Sequence, residues 1–214
     1  MTTTISSEDI LFWCNQSYEH FLYLSQLMAP SRDREDVTDY LSRWTRVDTQ
    51  AISQIITLLS GSIQLMRQIY ENNSPINVNV SQIDFHSFVD HMIEEESYFL
   101  GLLNGTLTVD DETTFWLRET YQHTQLAGRL FTPDNLTMQI NILVDADNLA
   151  PYQDQDVDPT EALSQIGGTA PGAQRLYESV SRDASISLLT PDMVQHEIRE
   201  TEYGLRRLHM LTNY

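Results

Sequence analysis

The sequence contains no lysine, and its 12 basic residues, all arginines, face 31 acidic residues. The formal net charge at pH 7 is therefore -19. Non-specific binding to nucleic acids or to anionic membranes depends on basic residues, so this charge disfavours both as partners. An acidic composition without lysine is typical of proteins from salt-accumulating halophiles, where salt screens the self-repulsion. Codon bias together with a solvated acidic surface is the alternative explanation.

Other common signatures are missing as well. Cys14 is the only cysteine, which excludes an internal disulfide, and its position in a helical pattern favours a small core residue over a nucleophile. No apolar run approaches the roughly 18 residues of a membrane span, and the first residues lack the features of a signal peptide. We find no phosphate-binding loop, no Gly-x-Ser-x-Gly elbow and no Cys-His pair. The missing membrane span and the missing signal-peptide features predict a cytoplasmic protein.

Helical periodicity dominates what is present, and no segment shows sustained period-two alternation between hairpin turns. The sequence therefore predicts an all-α fold. Gly61 is a candidate break within a long second helical segment, Pro151 to Pro159 is predicted to be an exposed loop, and the glycines from Gly167 to Gly172 predict another break. The predicted helices cover residues 8–28, 35–73, 81–104, 110–130, 134–149 and 172–182, with a last one beginning at Pro191.

Two patterns occur twice along the chain. Phe12-Trp13, Tyr18 and His20 return 103 residues later as Phe115-Trp116, Tyr121 and His123. His91, Glu95 and Tyr98 return 105 residues later as His196, Glu200 and Tyr203. Such a register indicates an internal duplication. We therefore expect a duplicated helical bundle of two similar halves packed together, residues 1–105 and 106–214.

The repeated polar residues lie on helix faces that are otherwise apolar. His20 shares a face with Trp13 and Leu24, and each His-x-x-x-Glu motif aims its imidazole and its carboxylate at the same point. Burying an unpaired charge costs several kcal/mol, and a divalent metal would compensate it. Imidazole and carboxylate ligands without thiolate suit iron, manganese or zinc. The alternative is an ordinary hydrogen bond between histidine and glutamate within one helix.

These motifs point to a family. Phe-Trp-x4-Tyr-Glu-His near the start, His-x3-Glu near the end of each half, and the duplication resemble the Bacillus metalloprotein-like helical-bundle family of unknown function. That resemblance implies a ferritin-like, metal-binding bundle with no established reaction. Together with the helix faces, it implies as ligands His20, His91, Glu95, His123, His196 and Glu200, with Glu19 and Glu119 as additions.

The two halves differ at both added acids, because Gln122 stands where the first half has Glu19 and Gln16 stands where the second half has Glu119. A fully symmetric pair of sites is therefore not expected. Each half could hold its own centre, or the four motif-bearing helices could converge on one composite centre. The shortage of a fourth ligand in each half favours the composite arrangement.

The sequence thus predicts a metal-binding bundle with an oxidoreductase role or a role in handling oxygen or metal. A non-catalytic structural or interaction bundle with a vestigial site is the main alternative, and a bundle that binds an apolar ligand is a third. The expected partner is a metal ion. The oligomeric state stays open, with a homo-oligomer as one option.

Overall fold

The computed structural model describes residues 5–77, 84–130, 135–153, 155, 157–183 and 190–212. Within these ranges the chain forms eight α-helices, and the only extended pairing is an isolated antiparallel bridge between Met28 and Ile76. The all-α prediction is confirmed. The chain divides into two compact units, residues 2–107 and 108–214, here called the first half and the second half.

The first half contains four helices, of which α1 packs along α2 and contacts α4, while α3 packs along α4. Ser6 and Asp9 form a capping box at the start of α1, and Gly105 ends α4 in a left-handed conformation. The bounds are Ser7–Leu27 for α1, Arg32–Trp44 for α2, Ile52–Glu71 for α3 and Phe85–Asn104 for α4.

The second half repeats this arrangement with α5 packed along α6 and α7 packed along α8. A capping box of Thr108 and Asp111 begins α5, and Thr190 caps α8 ahead of Pro191. The bounds are Val109–Arg129 for α5, Leu136–Leu149 for α6, Pro159–Arg182 for α7 and Pro191–Leu211 for α8, with a 3-10 turn at Ala150–Tyr152. None of the described helices has a stretch both long and apolar enough to span a bilayer.

The helix break predicted at Gly61 lies elsewhere in the chain. The long second segment breaks between Trp44 and Ile52, where the side chain and carbonyl of Asp48 accept hydrogen bonds from the next backbone amides. Gly61 instead lies inside α3, where a Cβ would meet the Tyr40 hydroxyl at 2.2 Å. The glycine therefore serves close packing between α2 and α3 and not a break.

The predicted break from Gly167 to Gly172 is also wrong, because α7 continues through it and even contains Pro171. Asp158 caps this helix from its side chain, and Ile166 and Leu176 are buried on either side of the glycines. Burial of this apolar face outweighs the low helix propensity of glycine and proline.

A pair of aromatic residues ties the first helix of each half to its last. The ring centroids of Trp13 and Tyr98 are 5.4 Å apart at an interplanar angle of 54°, and those of Trp116 and Tyr203 are 5.6 Å apart at 55°. The repeated aromatics thus make the same contact twice. In the second half, Gly204 lets Trp116 approach α8, since a Cβ there would lie 2.5 Å from the indole ring.

Candidate metal centre

In the first half, α1 and α4 bring two imidazoles to one carboxylate. His20 Nε2 lies 2.8 Å from Glu95 Oε2, and His91 Nε2 lies 3.3 Å from Glu95 Oε1. All three side chains are at least nine-tenths buried. We call His20, His91 and Glu95 the first-half cluster. The spacing of four residues between His91 and Glu95 places them one turn apart on α4, and the packing of α1 against α4 adds His20.

In the second half, α5 and α8 build the matching group with one additional acid. His123 Nε2 lies 3.3 Å from Glu200 Oε2, and His196 Nε2 lies 3.4 Å from the same oxygen. Glu119 Oε1 lies 3.0 Å from His123 Nε2. These four buried residues are the second-half cluster. Gln16 occupies the position that matches Glu119 in the first half, so this acid has no counterpart there.

The donor spacing fits a ligand shell. Zinc and similar ions bind nitrogen and oxygen at about 2.0–2.2 Å, which places neighbouring ligand atoms about 2.8–3.6 Å apart in octahedral or tetrahedral geometry. The distances of 2.8–3.4 Å within the clusters lie in or near that range. Among the described residues, buried histidine and glutamate groups are therefore near enough to one another to hold a metal ion.

The electrostatics of the first-half cluster show how strongly its groups depend on one another. Burial of the His20 imidazole opposes its protonation, but the charges and hydrogen bonds of Glu95 and Glu96 together outweigh burial and hold the pKa of His20 well above its ordinary value. Burial likewise works against the Glu95 carboxylate, yet His91 and His20 hold its pKa well below its usual range. The buried carboxylate thus requires positive charge beside it, supplied by protons or by a cation.

Glu96 is a cluster neighbour that the sequence analysis missed. It is 1% exposed, accepts a hydrogen bond from Ser17 at 2.9 Å, and lies 3.3 Å from His20 Nδ1. Burial raises the pKa of the Glu96 carboxyl, and the contacts with His20 and Ser17 offset only part of that rise. Glu96 therefore contacts Nδ1 of His20, while Nε2 of the same ring faces Glu95. In this position it orients the imidazole as an outer-shell carboxylate does in metal sites.

The remaining predicted acid behaves differently. Glu19 is half-buried on α1, while the His20 imidazole contacts Glu95 and Glu96 on α4. Its counterpart Gln122 is also half-buried on α5. The structure therefore brings together the six repeated residues and Glu119, each within its own half, and leaves Glu19 as a sequence prediction.

A second buried charge pair lies in the second half and was not anticipated. The Arg207 guanidinium donates from Nε and Nη2 to Glu112 Oε2 at 3.0 and 2.8 Å, and from Nη2 to Oε1 at 2.8 Å. The two side chains are 3% and 0% exposed. Glu112 lies in the first turn of α5 and Arg207 lies near the end of α8, so no local spacing in the sequence links the two residues. The pair links the ends of α5 and α8.

Comparison with known proteins establishes the fold alone. No protein-family model matches the sequence, and the search of curated proteins gave no match. Among solved structures, the chain is similar to an uncharacterized protein from Bacillus cereus G9241, with a TM-score of 0.82 and 13% sequence identity. The match covers 95% of this chain and 89% of that one. At this identity the likeness supports the all-helical fold and carries no activity.

Proposed function

We propose that this protein binds iron, manganese or zinc through the histidines and glutamates of the two clusters, and that it acts as an oxidoreductase or in the handling of oxygen or metal. The observation that carries the proposal is the burial of two imidazoles around one carboxylate in each half, at distances of 2.8–3.4 Å. Neither the fold nor the packing of a core requires this combination twice.

The donor chemistry supports these metals over others. The clusters offer imidazole nitrogen and carboxylate oxygen, and the single thiol, Cys14, is not one of the cluster residues. Such a mixed set suits iron, manganese and zinc, while Ca²⁺ and Mg²⁺ favour oxygen alone. Iron or manganese would supply redox chemistry when bound, and zinc would supply a Lewis acid. The chain's own contribution is to hold the ligands in a dry setting and to orient His20 through Glu96.

We further propose that the two halves arose by duplication and that the fold is related to the ferritin-like bundles. The equal number of helices, the repeated capping boxes and the repeated tryptophan-tyrosine contacts support the first point. Histidine and carboxylate ligands that project from facing helices support the second. The His-x3-Glu order differs from the Glu-x-x-His order of di-iron carboxylate bundles.

Elemental analysis of protein purified without chelator tests the metal assignment. We expect stoichiometric iron, manganese or zinc in the wild-type protein and its loss in the double variant His91→Ala/His196→Ala, because each half then lacks one imidazole. The matched control is His86→Ala/His209→Ala, which removes the two histidines outside the clusters. The control should keep the wild-type metal content.

A negative result has a definite meaning. If the wild-type protein holds no transition metal and binds none when iron, manganese and zinc are offered, the clusters are buried ionic networks and the proposal is wrong. Folding of each variant is checked by circular dichroism. An unfolded His91→Ala/His196→Ala protein would be replaced by the variant His91→Gln/His196→Gln, which keeps more of the side-chain volume.

A further inference from the structure

The second half contains a small cavity that reaches its cluster. The cavity measures about 40 Å³ and is bounded by α5, α6, α7 and α8. His123 forms part of its wall, together with Thr124, Ala127, Ile142, Leu176 and Thr201. One imidazole of the proposed ligand set therefore lines a partly open cavity in its own half.

Small residues at matched positions explain why the void exists. Residues 103 positions earlier than Thr124 and Ala127 are Phe21 and Leu24. In the first half both are fully buried, and the Phe21 ring stacks on Tyr40 with centroids 5.5 Å apart. Replacing a phenyl ring and an isobutyl group with a threonine and a methyl group removes many atoms from the corresponding place. The neighbouring helices of a packed interior fill such a gap only in part.

A third exchange opens the cavity further. Thr201 lies 105 positions after Glu96, whose carboxylate contacts His20 in the first half. The second half thus has a short threonine where the first half has a buried acid against its histidine. The second-half residues of the three exchanges, Thr124, Ala127 and Thr201, line the same cavity as His123. They make the second half the more open of the two around that residue.

The lining selects for small uncharged molecules. Thr120, Thr124 and Thr201 donate their hydroxyl hydrogens to carbonyls of their own helices at 2.8, 2.6 and 3.0 Å, and aliphatic groups of Ala127 and Leu176 also line the wall. The carboxylates of Asp145 and Glu197 also lie at the wall and disfavour anions. A single water needs roughly 10–15 Å³ of such void. A cavity of about 40 Å³ therefore has room for a molecule of two or three non-hydrogen atoms.

We propose that this cavity is the access site of the second half, where a neutral molecule of two non-hydrogen atoms, dioxygen or hydrogen peroxide, reaches the His123 side of the cluster. The proposal rests on the proposed metal-binding function for its purpose. Its geometry rests on the cavity and on the three exchanges. The first half has no equivalent role in this scheme, because Phe21 and Leu24 fill the matching position.

Xenon-pressurised crystals test the site without reference to metal. Xenon is an uncharged probe of apolar cavities. We expect a xenon peak beside Thr124 and Ala127 in the wild-type protein, and none beside Phe21 and Leu24. Ala127→Leu and Thr124→Phe, each of which copies the first-half residue, should abolish the peak. Thr124→Ala, which enlarges the void at the same position, should keep it.

A second measurement links the cavity to chemistry. Ala127→Leu alters no proposed ligand, so its metal content should equal that of the wild-type protein, while oxidation of its iron(II)-loaded form by dioxygen should be slowed. Absence of xenon from the wild-type cavity overturns the proposal, and so does an unchanged oxidation rate in a folded Ala127→Leu variant. A protein that takes up xenon but no metal would instead retain the cavity and refute the proposed function. Ala127→Val serves if the larger residue prevents folding.

Discussion

The buried pair of Glu112 and Arg207 allows a quantitative prediction about stability. Arg207→Leu removes the guanidinium that makes three hydrogen-bond contacts with the carboxylate at 2.8–3.0 Å. Glu112 is 0% exposed, so its charge would be left in the interior without its counter-ion. Breaking such a pair costs about 3–5 kcal/mol of the free energy of unfolding. Leucine itself is compatible with the fold, since Leu102 holds the matched place in the first half and is 2% exposed.

Guanidinium chloride unfolding followed by circular dichroism measures this loss. The control is Arg206→Leu, which removes the same charge from an exposed neighbour and should cost less than about 1 kcal/mol. The double variant Glu112→Leu/Arg207→Leu should recover most of the loss, because buried ion pairs replaced by apolar residues are often neutral or stabilising. A single Arg207→Leu variant as stable as Arg206→Leu would refute the argument, and so would a double variant that is less stable than the single one.

Two further predictions concern Cys14 and the glycines. Burial, and secondarily the charge of Glu96, raises the pKa of the Cys14 thiol to about 12. We therefore expect no reaction with a thiol reagent at pH 8 in the native protein and one thiol per chain in denaturant, and rapid native labelling would contradict this. Gly204→Ala would place a methyl group 2.5 Å from the Trp116 ring and should destabilise the protein by about 1–3 kcal/mol. In Gly168→Ala an added Cβ meets nothing within 4 Å, so this matched change should stabilise the protein by about 0.5–1 kcal/mol. Equal melting temperatures of the Gly204→Ala and Gly168→Ala variants would show that this packing argument is wrong.

Local signals in the sequence sufficed for the starts of α1, α5 and α8, each of which is capped by neighbouring residues. Ser6 and Thr190-Pro191 indicate helix starts, and α1 and α8 begin within a residue or two of them. No comparable sequence signal marks the boundary between α2 and α3, since the apolar periodicity continues through Asp48. The course of α7 through Gly167 to Gly172 depends on burial against other helices, which composition does not encode.

The same distinction holds for the candidate site. The repeat identified His91 with Glu95 and His196 with Glu200, because residues four apart on a helix must share a face. The repeat did not identify Glu96 as a site residue, because its counterpart in the second half is Thr201 and not an acid. Its role depends on where α1 places His20 and Ser17 against α4, which is a tertiary contact. Likewise, the cavity beside His123 follows from side-chain sizes on several helices and has no signature in any one of them.

The metal centre is the central claim, and X-ray absorption spectroscopy of the protein's bound metal tests it most directly. The account predicts a first shell of nitrogen and oxygen at about 2.0–2.2 Å with the outer scattering of imidazole, and no sulfur at about 2.3 Å. The bound metal, and with it this spectrum, should be lost in His91→Ala/His196→Ala and should persist in His86→Ala/His209→Ala. A shell of oxygen alone, or one unchanged between these two variants, would contradict the assignment.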